Sequence, residues 1–312
     1  MDRWLLSRRA DLALFGGSAA ASLLLLGIGA KAGVLHSELP PGLWLLFVVG
    51  VDVAHVWSTG WKVYADAGEF RLRPALYSAI PAAAWGAGVV AHSLSPALFW
   101  RLLAYAAAFH FVRQQYGWVA LYRRKNGEDG EVDGGLTRWI DSAAIYAATC
   151  GPLLWWHANL PRRFHWLLPG DFATGLPRPV GTAALATTAA LLALWAGKEV
   201  LRLVRGRPVS WGKLLVTATT ALTWHLGIVA FDSDYAFTVT NVLVHGVPYI
   251  GLVLFATRRR AEAHEAARVP PSLADRASRS ALLFLVPLFV LAFAEEWGWD
   301  RLVWHDLSLI HI

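Results

Sequence analysis

Four histidines lie inside long apolar runs of the chain, in DVAH (52–55), AAFHFVRQQYGW (107–118), TWHL (223–226) and NVLVH (241–245). A neutral imidazole is a good ligand for iron, zinc and copper, so single histidines on separate helices can converge on one ion. Groups three or four residues apart share a helix face. Asp52 stands in that relation to His55, Arg113 and Gln114 to His110, and Asn241 to His245. Carboxylate and carboxamide neighbours fix ring tautomer and orientation at metal centres. His225 has only Thr223 and Trp224 beside it. The pattern makes His55, His110, His225 and His245 candidate metal ligands, with Asp52, Gln114 and Asn241 as orienting groups around the cofactor. Arg113, Tyr116 and Tyr249 are the candidate catalytic and substrate-lining residues; Arg113 can snorkel, pair with Asp52 or hold an anionic group.

Other chemistries lack their residues. Cys150 is the single cysteine, which excludes internal disulfides and Cys-rich zinc sites. There is no GxSxG nucleophile motif, glycine-rich phosphate loop, nucleic-acid-binding pattern or clustered HxxxH box of a membrane di-iron desaturase. The fitting reaction is oxidation by a mononuclear iron centre, with an open position for dioxygen and a lipophilic substrate, an isoprenoid or another lipid. Zinc is an alternative ion. A different class is a haem b electron-transfer protein with axial histidines. A third is a proton-coupled transporter using Asp52, His55, His110 and Arg113, although no related halves are visible.

The elements that carry these residues are membrane helices. Of the 312 residues, 56% are hydrophobic and 16% charged. Apolar runs near 11–34, 42–61, 75–94, 97–122, 138–158, 180–204, 212–231, 235–257 and 278–298 recur along the chain, each able to cross a hydrocarbon core of about 30 Å. Such spans must be helical, because lipid cannot satisfy backbone polar groups. The expectation is an all-α bundle of about nine spans forming a single integral membrane domain over residues 1–312. Ser95 and Pro96 mark a tight turn between the third and fourth spans. Asp52, His55, His110 and His245 fall at or near the middle of their spans, and His225 slightly to one side. An ionisable group at that depth costs about 2.5–3.5 kcal/mol on insertion scales, which favours a functional role.

The net charge of +6 comes from short basic clusters between spans, which suit anionic lipid rather than nucleic acid. Arg3, Arg8 and Arg9, then Lys62, Arg71 and Arg73, then Arg123, Arg124 and Lys125 occupy alternate connections. Arg202, Arg205, Arg207 and Lys213, then Arg258, Arg259 and Arg260, continue the alternation. It places the N-terminus in the cytoplasm of a multi-pass protein of a bacterial-type inner (plasma) membrane. Seventeen tryptophans, among them Trp155, Trp156, Trp166, Trp211, Trp297, Trp299 and Trp304, suit interfacial belts. His305 and His311, six apart, form no same-face pair.

The phrase AAFHFVRQQYGW, with an HF pair in mid-helix and single histidines on neighbouring helices, resembles the Brp/Blh family of membrane carotenoid dioxygenases. That family cleaves β-carotene to retinal at histidine-held iron. The resemblance covers short segments of four helices and implies iron-ligand roles for His55, His110, His225 and His245.

Overall fold

The computed structural model describes residues 3–304. Among them every regular element is a helix. The long ones are α1 (Arg8–Ala32), α2 (Pro41–Tyr64), α3 (Pro74–Leu94), α4 (Pro96–Asn126), α5 (Gly134–Ala158), α6 (Arg178–Val204), α7 (Trp211–Ala230), α8 (Asp234–Ala266) and α9 (Ala281–Leu302). Their positions match the apolar runs of the sequence. Seven are long and apolar enough to cross a membrane; α4 and α5 are the two outside that class. Polar residues lower their hydropathy: Arg101, His110, Arg113, Gln114, Gln115 and Arg123 in α4, Arg138 and Asp141 in α5. Trp85 of α3 is 74% exposed and Val290 of α9 58%, a degree of apolar exposure that water does not tolerate over whole helix faces.

The chain forms two compact units, residues 1–39 with 88–245, and residues 40–87 with 246–312. In the first unit α5 lies against α6. Small residues permit the contact: a Cβ at Gly151 would stand 1.8 Å from Thr188 Oγ1, and one at Gly181 would stand 2.9 Å from the Ala158 side chain. Thr188 donates to the Ala147 carbonyl at 3.0 Å, a polar bond between helices of the kind apolar surroundings favour. Helix α4 starts where Ser95 caps the Leu98 N–H beside Pro96, and it stops at Gly127 with φ 70°.

Three cations and three carboxylates meet inside this unit. Asp141 accepts from Arg123 and Lys198 and lies 2.9 Å from Lys213 Nζ. Lys213 also reaches Glu128 at 2.5 Å and Glu199 at 3.2 Å. Lys213 and Asp141 are 0% and 1% exposed, so each charge depends on its neighbours. Arg202, equally buried, pairs with Glu131 at 2.6 Å. Arg123, Arg202 and Lys213 therefore leave the basic surface clusters to which the sequence assigns them.

The connection 159–177 packs as an aromatic layer. Phe164 stacks on Phe237 at 4.4 Å, and Trp166 meets Phe237 at 4.8 Å and Phe111 at 5.5 Å. Trp156 is 1% exposed and touches Phe164 and Phe172. Trp156 is thus internal rather than interfacial and Trp166 is half-buried within the aromatic layer, whereas Trp211 and Trp297 are exposed as a belt requires.

In the second unit Val49, Ala54, Phe284, Leu288 and Ala292 build a core between α2 and α9. Asp66 caps the short helix Ala67–Leu72, and Arg260 bonds to Asp66 at 3.0 Å and to Glu69.

Replacing Lys213 by Met leaves buried carboxylates without a cation, which typically costs about 3–5 kcal/mol. The unfolding midpoint in detergent should fall accordingly; an unchanged midpoint would remove the network from the stability account. Partial burial raises the Glu69 carboxyl, but its Arg260 and Tyr77 hydrogen bonds and the charge of Lys62 together hold it below the ordinary 4.5. A depressed folded pKa contributes stability that is complete above that value and is lost as pH falls through the folded one. Amide exchange in Ala67–Leu72 should therefore rise below about pH 4.5, and Glu69→Gln should abolish the pH step.

Candidate metal centre

In the first unit His110 of α4 and His245 of α8 meet edge to face, their ring centroids 5.0 Å apart at 80°. A ligand nitrogen of one lies within 4.8 Å of a ligand nitrogen of the other. His245 is 0% exposed. Its ring lies flat on Phe111, 3.8 Å away and 5° from parallel, so two successive residues of α4 hold it by edge and face. Gln114, one turn further, donates from Nε2 to the His245 carbonyl at 2.7 Å. Pro248 sits in the next turn of α8 and has no N–H for that ladder. Gln114 ties α4 to α8 through the backbone of His245. His110 itself is exposed on the surface of the chain.

In the second unit His55 is the second residue of the α-helical part of α2, just after a π-helical stretch, Leu45–Val53, which contains Asp52. Wide turns of this kind occur often at functional sites. The Asp52 carboxylate stands 3.5 Å from His55 Nδ1, which leaves Nε2 as the outward nitrogen for a ligand bond. His55 is 2% exposed, and the Tyr249 ring meets it edge-on at 5.8 Å. The Tyr249 hydroxyl is 2.7 Å from Thr59 Oγ1, so Tyr249 is positioned beside the imidazole. Gly246 admits α2 closely: a Cβ there would be 2.6 Å from Val51 Cγ1.

Other sequence candidates are placed differently. His225 stays outside the metal-capable group and is exposed. The buried face of α7 runs through Val216, Thr220, Thr223, Trp224, Gly227 and Ile228, and residue 225 lies off that stripe. Asn241 is buried and donates to the Thr223 carbonyl at 3.4 Å and to Thr240 Oγ1 at 3.1 Å. It fills the notch at Gly227, where a Cβ would come within 2.1 Å of its Nδ2. Its role is to join α8 to α7. Arg113 donates to the Tyr146 hydroxyl and lies over the Tyr116 ring at 4.9 Å, so its partners are phenols rather than Asp52. Tyr116 stacks on Tyr146 at 5.0 Å. His305 and His311 lie outside the described residues.

Phe111 and Tyr146 are the site neighbours that polarity-based reading passes over. Phe111 is half of the HF pair, and Tyr146 is the one phenol in the small-residue run DSAAIYAATCG. Tyr146 stands out in the sequence only as an aromatic among small residues, and Phe111 only as the partner of His110 in the HF pair.

Gly227→Ala should destabilise the protein by about 1–3 kcal/mol, the usual cost of overpacking. If Asn241 is the obstacle, Asn241→Ala in the same chain should restore part of the loss of thermal midpoint; no recovery would place the clash elsewhere.

No family model, no curated protein and no solved structure matches the chain.

Proposed function

We propose that the protein is an integral membrane metalloprotein in which His110 and His245 hold a metal ion, the sequence pattern naming His55 as a further candidate ligand. The observation that carries this reading is the His110 and His245 pair, with His245 fixed between Phe111 and His110. Asp52 beside His55 supplies the carboxylate that a ligating imidazole commonly uses on its other nitrogen. A donor set of imidazoles without thiolate suits iron, and also zinc. The 5.0 Å ring separation favours a small ion over haem b, whose macrocycle would have to stand between axial rings.

The reaction we propose is an iron- and dioxygen-dependent oxidation of a lipophilic substrate, the class to which the resemblance to carotenoid dioxygenases also points. Iron, when bound, would supply the redox chemistry and the site for dioxygen. The chain's own part is to hold two imidazoles against an aromatic floor and to leave the His110 side open. The seven apolar helices, together with the long helices α4 and α5, support nine crossings. Arg124, Lys125, Arg205 and Arg258 remain as basic residues in alternate connections, and by the positive-inside rule they favour a cytoplasmic N-terminus in a bacterial-type plasma membrane.

The test is metal analysis of protein purified from its own membrane, with His110→Ala, His245→Ala and His225→Ala. The first two should lose the metal while inserting normally, and the third should keep it. Equal metal content in all of them would end the proposal, and a Soret band in the wild-type spectrum would replace it with a haem protein.

A further inference from the structure

Arg113 is the polar group at this site that the metal reading does not use. It follows His110 by one turn of α4, so the two share a face, and both are exposed on the chain's surface. Helix α4 runs Pro96–Asn126 and α5 runs Gly134–Ala158, and Tyr146 is the middle residue of α5. The Arg113 guanidinium donates to that phenol, so it is held at mid-height instead of reaching for either end. The stacked ring of Tyr116 lies under it. Phenols orient a guanidinium and do not neutralise it.

Four other arginines of the first unit are answered by carboxylates, Arg123 by Asp129 and Asp141, Arg202 by Glu131, Arg207 by Asp133 and Arg162 by Asp232, while Arg101 donates to the Gly170 carbonyl. Among the described residues no carboxylate makes an ion pair with Arg113. Its five N–H donors in a planar fork match a carboxylate in two-point fashion. One direction of the fork is taken by Tyr146, and Arg113 as a whole is exposed.

We infer that Arg113, set by Tyr146 and Tyr116, binds the carboxylate of a long-chain carboxylic acid and so places its chain beside His110. This rests on the reading of the His110 and His245 site as one that acts on a lipophilic substrate, and it names the substrate class as an acid rather than a neutral hydrocarbon. The chain of the acid lies along the apolar surface of α4, and its head is fixed one helical turn from the imidazole.

The experiment is equilibrium binding of radiolabelled oleic acid and oleyl alcohol to the full-length protein in nanodiscs of neutral lipid, with metal content measured on the same samples. The acid should bind at least about tenfold more tightly than the alcohol, as a two-point charged contact requires. Arg113→Gln should erase that preference, Arg113→Lys should keep part of it, and Tyr146→Phe should weaken it several-fold. Equal binding of acid and alcohol by the wild-type protein overturns the inference, as does a preference that survives Arg113→Gln. Should Arg113→Gln fail to fold, the wild-type comparison and Arg113→Lys decide. Equal binding of acid and alcohol by wild-type protein that holds its metal refutes only this inference; a clear preference for the acid in wild-type protein without metal refutes only the metal reading.

Discussion

The carboxylate of Asp141 receives Arg123, Lys198 and Lys213, and none of these four side chains has more than a trace of solvent. Taking a charge out of water costs several kcal/mol per ion unless partners are in place. The segments that carry the partners must therefore reach their final register together: the end of α4, the turn at Glu128, and the facing turns of α5, α6 and α7. Glu128 and Glu199 complete a set of equal positive and negative charge around Lys213. That balance holds one end of α4 and α5 and so sets where residues further along, His110 and Tyr146 among them, come to rest.

The same network explains which parts of the fold were legible in the sequence. Long apolar runs announce helices because lipid leaves the backbone no alternative, and all nine runs are helices. The turn at Ser95 and Pro96 was readable from capping chemistry alone. Charge was harder. A lysine or arginine near a span end reads as a solvated positive group, yet Lys213, Arg123 and Arg202 are turned inward, because tertiary partners several helices away decide the matter. Counting them as basic loop residues exaggerates the alternation of charge along the chain.

Depth and direction behaved differently at the site as well. The sequence identifies histidines in the middle of spans, and two of them, His110 and His245, do meet. His225 has the right depth and the wrong direction, one residue off the buried stripe of α7. Asn241 has the right spacing from His245 but serves the notch at Gly227, because a small residue on a neighbouring helix draws a wedge that spacing along one helix cannot reveal. The ring that fixes His245 belongs to Phe111, an apolar neighbour rather than the polar companion that metal-site reasoning looks for.

His110 and His245 are chemically identical groups with different freedom. His245 is buried against Phe111, and beyond Phe111 the aromatic layer of residues 159–177 begins with Trp166. Its ring cannot turn without disturbing that stack. His110 has open surface on its far side. The pair thus works like a vice with one jaw bolted to the bench: every adjustment of the distance between the two nitrogens falls to the imidazole of α4, and α8 need not move.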